Sequence, residues 1–104
     1  MISRKDVMPV GFLKKERFTG SFKGMRYRME KYIADPEAQE ALKVSCWPEP
    51  YGYDATPEKL KEAACFSLDE EGIAQGVAWL NDRYREKQLF WEKARHGLPP
   101  ALDE

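Results

Sequence analysis

The chain has 104 residues, of which 42% are hydrophobic, 34% charged and 12% aromatic, with a formal net charge of −1. That length gives room for one core, the apolar content is too high for a disordered chain, and no apolar run approaches the ~20 residues of a membrane span. Residues 1–104 are therefore expected to form a single domain, with 1–10 and 97–104 as ends that need not pack. The first residues show no secretory leader pattern, so a cytoplasmic location is expected.

The near-neutral charge hides an uneven distribution. Residues 1–32 hold nine Lys/Arg against three acids, whereas residues 33–104 hold eight against fifteen. Such polarity steers an oppositely charged partner, provided that folding keeps the two segments apart.

In chain order, the run Thr19-Gly20-Ser21-Phe22-Lys23-Gly24 suggests a turn after a strand around Phe12 to Phe18. Met25, Tyr27 and Met29 then alternate with Arg26, Arg28 and Glu30, the period of two of a strand with one buried face. Leu42, Val44 and Cys46 alternate in the same way with Lys43, Ser45 and Trp47, and the intervening Asp35-Pro36 is turn chemistry, which predicts an antiparallel hairpin. Three prolines and a glycine between Trp47 and Lys59 predict an ordered loop, in which Thr56-Pro57 can open a short helical turn. Ala64-Cys65-Phe66 reads as a further strand.

The strongest element comes last. Ser67 with Glu70 has the capping-box spacing, and Ile73, Val77, Leu80, Tyr84 and Trp91 form one apolar stripe at about 100° per residue. Gly97 and Pro99-Pro100 end it, so one helix is predicted over 69–95. At ~1.5 Å per residue it would be about 39 Å long, with its last two turns projecting. Trp79 and Phe90 lie off the stripe and are expected under the N-terminal segment or a loop, or else at a dimer or partner contact. The predicted fold is α+β: an antiparallel sheet of three to four strands with one long C-terminal helix packed on one face.

Candidate chemistry is sparse. Cys46, Cys65 and the single His96 fit no zinc spacing, and both cysteines are expected as buried, reduced thiols. His96 at a helix end suits a capping cation, with no serine or cysteine spaced to use it as a base. No phosphate-cradling glycine motif occurs. These features predict a binding protein without catalytic residues, metal or cofactor.

Two sets of residues suit binding. Lys14, Lys15, Arg17, Lys23, Arg26 and Arg28, interleaved with Phe18, Phe22 and Tyr27, could neutralise phosphates while rings stack on bases. Trp47, Tyr51 and Tyr53 could form a rigid aromatic surface for a protein partner, and Asp82 and Glu86, on the acidic helix face, could imitate phosphate charge.

The runs MPVGFLKKERFTGSFKGMRYRMEK, WPEPYGY and FSLDEEGIAQGVAWLNDRY resemble short uncharacterised proteins carried on phages and integrative elements of gut bacteria. Some proteins from such sources are anti-CRISPR inhibitors, so the resemblance implies a stoichiometric inhibitor of an RNA-guided nuclease that occludes its nucleic-acid surface. Two alternatives stay open from the residues: a nucleic-acid-binding accessory protein using the basic hairpin, and a structural module that dimerises through the C-terminal helix.

Overall fold

Alternation along the second and third strands sets the architecture. The computed structural model describes residues 2–33, 37, 39–49 and 52–95. Its strands β1 (Phe18–Phe22), β2 (Met25–Tyr32), β3 (Ala41–Pro48) and β4 (Glu62–Ser67) form an antiparallel sheet in the order β1-β2-β3-β4. Tyr27 lies opposite both Gly20 and Cys46, and Met29 opposite Phe18 and Val44, so the apolar positions of adjacent strands share one face. Met25, Met29, Leu42, Val44 and Cys46 are fully buried there.

The chain is thus α+β, with helices on that apolar face. Helix α1 (Val10–Leu13) is one turn, α2 (Glu70–Glu86) is long, and α3 (Gln88–Arg95) follows it. Ile73, Val77, Leu80 and Tyr84 of α2 are buried, as the stripe predicts. Gly76 lets the helix approach the sheet closely, since a Cβ there would lie 2.9 Å from Val44 Cγ2.

The start of the chain differs from expectation. Residues 10–13 are helical, and the strand before the hairpin is Phe18–Phe22, inside the run assigned to the turn. The turn itself is Lys23-Gly24, both at positive φ (47° and 96°), the geometry that joins two twisted strands in two residues. Gly20 belongs to β1 because Tyr27 lies across it; a Cβ there would be 2.7 Å from the ring. Residues 2–10 are packed: Ile2 N–H donates to Asn81 Oδ1 and Asn81 Nδ2 donates to Ile2 O, each at 2.9 Å. Val7 is buried, and Arg4 pairs with Glu70. Arg4 of the basic first third thus meets the acidic helix start, so the two charged segments of the sequence touch at that point.

Asp69, not Ser67, caps α2. Its carboxylate accepts from Gly72 N–H at 2.7 Å and from Ser67 Oγ at 2.7 Å, which holds its pKa below the ordinary carboxylate value. The predicted Ser67–Glu70 box is absent because Asp69 is the N-cap residue, which puts Glu70 at the first helical position, where it engages Arg4.

The single helix over 69–95 is divided. Lys87 leaves helical geometry (φ −128°, ψ 34°), and α3 turns back against β2 and β3 instead of projecting. Trp91 explains the turn: its ring is fully buried, and its Nε1–H donates to Arg83 O at 3.1 Å, one of the carbonyls freed at the end of α2. Trp79 and Phe90, alike in helical angle, are separated by this turn, Trp79 packing on Phe66 and Phe90 on Trp91. The expected turn at Asp35-Pro36 and the helix-end signals at His96, Gly97, Pro99 and Pro100 lie outside the described residues. No described helix is long and apolar enough to cross a membrane.

Replacing Trp91 by Ala should destabilise the fold by about 3–5 kcal/mol, the range for deleting a buried aromatic ring. Leu89→Ala, in the same helix but 73% exposed, should change stability by no more than ~0.5 kcal/mol. Urea unfolding of both variants checks the orientation of α3; a projecting helix would make the two equally mild.

Candidate functional site

The face of the sheet turned away from α2 and α3 carries the other half of every strand. Its register places Ser21 beside Arg26 and Trp47, Thr19 beside Arg28, Ser45 and Ala63, and Glu30 beside Lys43 and Cys65. Tyr32 extends the same face at the end of β2, opposite Ala41.

One end of this open face is roofed by the loop after β3. Trp47 is 1% exposed, and Tyr53 meets it edge-on with ring centroids 5.3 Å apart. The Arg28 guanidinium lies 4.3 Å from the Tyr53 ring centroid and Lys61 Nζ lies 4.1 Å from it, so two cations use one ring. Thr56 closes the loop by donating to Gly52 O at 2.8 Å. The short turn after Pro57 does form, as a 3-10 turn over Glu58–Leu60, but Thr56 does not cap it.

The electrostatics of the face are unbalanced. The buried side-chain atoms without a hydrogen-bond partner among the described residues are Arg26 Nε, Arg28 Nε, Ser45 Oγ and Arg83 Nε, and the first three share this face. Ser45 sits directly opposite Arg28 and diagonal to Arg26, within the reach of cross-strand neighbours. Glu30 Oε2 approaches Arg28 Nε to 3.2 Å, an ion pair out of line for a hydrogen bond. Arg26 has no ion pair among the described residues. Lys43 lies 5.1 Å from the ring centroid of Tyr32, itself 39% exposed. The arrangement offers cations and hydroxyls with too few acceptors to satisfy them, which suits an oxyanion-bearing ligand.

The structure thus merges parts of two sets that the sequence keeps separate. Arg26 and Arg28 join Trp47 and Tyr53 on one face. Lys14, Lys15 and Arg17 are exposed beyond α1, beside Glu30 and Lys31 in a shallow cleft at the far end of β2. Lys23 stands at the hairpin tip, its Nζ 5.5 Å from the Phe22 centroid. Asp82 and Glu86 do not belong with Trp47 and Tyr53: they lie on α2, across the sheet, and pair with Arg85 and with Arg83 (2.7 Å). Tyr51 lies outside the described residues.

Lys43, Ser45 and Tyr32 were missed as site residues although the strand alternation that placed Arg28 placed them too. Lys61 had no such signal, because a loop returns it to the face. Among the described residues no group of His, Cys, Asp and Glu could hold a metal ion. No protein-family model matches the chain, and neither does any curated protein or solved structure.

The cysteines separate by face. Cys46 is buried beneath the helices, and its thiol is pushed up from about 9 to about 12, chiefly by burial. Cys65, expected to be buried, is exposed because it falls on the open side of β4. Native protein treated with iodoacetamide at mildly alkaline pH should be alkylated at Cys65 alone, with Cys46 reacting after unfolding; peptide mass mapping reads this. The unfolded chain releases the Cys46 proton near the ordinary thiol value while the folded chain keeps it, so this thiol's contribution to stability is complete below about 9 and is lost as pH rises toward about 12.

Proposed function

We propose that the chain is a cytoplasmic, non-enzymatic protein that binds single-stranded nucleic acid across its open sheet face. The observation that carries this is Arg26, whose buried Nε has no hydrogen-bond acceptor and which has no ion pair among the described residues. It is set on β2 beside Arg28, whose one carboxylate partner among them, Glu30, is out of line for a hydrogen bond, and near the unpartnered Ser45 hydroxyl. Buried cationic donors left short of acceptors are destabilising, and phosphate oxygens are acceptors that the guanidinium fork matches. Lys43 extends the positive row, and Tyr32 offers an exposed ring four residues along the same strand. Unstacked bases of a single strand can reach such a ring, whereas duplex bases cannot. Tyr53 supports the site differently, because its ring meets Trp47 and two cations, Arg28 and Lys61, whereas Tyr32 carries Lys43 alone.

Inhibition of a nucleic-acid enzyme by acidic mimicry, the function implied by resemblance to mobile-element proteins, would use Asp82 and Glu86. Each already faces an arginine of its own helix, so the sheet face is preferred.

Fluorescence-anisotropy titration with labelled single-stranded RNA and DNA over a salt series tests the proposal. Log affinity should fall linearly with log salt, and Arg26→Ala should flatten the slope by ~0.7, the single-strand value for one phosphate contact. Tyr32→Ala should weaken binding by ~1–3 kcal/mol if a base stacks there. Arg28→Ala and Lys43→Ala are poor probes, since they also unload the Tyr53 and Tyr32 rings. Absence of binding at low salt would overturn the proposal.

A further inference from the structure

Strand β4 ends the sheet, with no strand on its outer side among the described residues. Native edge strands are commonly guarded by lysine, proline, a bulge or shortness. Glu62–Ser67 is six residues with none of these, and its charged residue, Glu62, is held on the helix side by Arg83 and Lys87. The opposite edge, β1, is five residues long and bracketed by Arg17 and Lys23. On the helix side of β4, Phe66 and Trp79 pack edge to face with centroids 6.5 Å apart, and both remain half-buried at the rim. On the open side, Ala63, Cys65 and Ser67 are small and exposed.

We infer that this edge pairs with β4 of a second copy of the chain, antiparallel, about a two-fold axis at Cys65. The strand is self-complementary in that register. Ala63 meets Ser67 of the second copy, Ala64 meets its Phe66 and Cys65 meets its Cys65, so no like charges face each other. The ends also match, because the exposed Lys59 precedes the strand and the exposed Glu71 follows it; in this register antiparallel pairing brings Lys59 of one copy opposite Glu71 of the other. The two Phe66–Trp79 pairs then abut over the seam and lose their exposed rims. The same patch serves both copies, so the assembly closes at two. An eight-stranded sheet results, with both open faces on one side.

Sedimentation velocity across a dilution series, on protein free of nucleic acid, tests this independently of strand binding. Dimers that dissociate on dilution are expected. Oxidation with diamide, which takes up the two thiol hydrogens as one S–S bond forms, should link Cys65 to Cys65 in the dimer, and Cys46→Ala should leave that link intact. Cys65→Lys, which sets two ammonium groups opposite each other, should sediment as a folded monomer, whereas Cys65→Ser should still dimerise. A monomer at every concentration, a dimer without the Cys65 link, or a folded Cys65→Lys protein as dimeric as wild type would each overturn the inference. Should Cys65→Lys fail to fold, the disulfide map of the wild-type dimer decides alone.

Discussion

The pleat of β2 and β3 is the constraint on which the remaining structure depends. Side chains alternate between faces, so burying Met25, Tyr27 and Met29 against α2 and α3 obliges Arg26 and Arg28 to point the other way. The same holds for Leu42, Val44 and Cys46 against Lys43, Ser45 and Trp47. Core and candidate interface are two sides of one pattern, and a one-residue slip in register would bury the arginines beneath the helices. The loop that carries Tyr53 and Lys61 follows from this, because Trp47 on the open side needs cover that the helices cannot give.

A second arrangement fixes the helices over that sheet. Glu62 on β4 receives Lys87 Nζ at 2.9 Å and Arg83 Nη1 at 3.4 Å, and these two cations flank the point where α2 gives way to α3. Trp91 then occupies the core and returns a hydrogen bond to the end of α2. The corner is thus held by an ion-pair cluster outside and an indole inside. At the other end of α2, Asp69 and the Arg4–Glu70 pair tie the helix start to the strand before it and to the N-terminal segment.

Much of this was legible in the sequence, and the failures have physical causes. Period-two alternation located β2 and β3, and the apolar stripe located α2, because both patterns repeat over many residues. The division at Lys87 left no trace, since no proline or glycine marks it; the contacts that accompany it, Lys87 to Glu62 and the Trp91 indole to Arg83 O, are made only in the folded chain. The strand β1 was masked by Gly20, which reads as a turn residue but serves to admit the Tyr27 ring. Composition grouped Trp47 and Tyr53 with Asp82 and Glu86, yet strand and helix placed them on opposite sides of the sheet. Arg26 and Arg28 were legible by type, while their acceptor-poor setting required knowledge of Ser45 across the register and of the loop above.

The joint between β4 and α2 has no give. A Cβ on Gly72 would lie 1.7 Å from Ser67 O, so the first turn of the helix rests directly on the last residue of the strand, with Leu68 and Asp69 alone between β4 and α2. Any residue larger than glycine at 72 would have to push the helix start off the strand, and with it the face that seats Ile73 and Gly76 on the sheet.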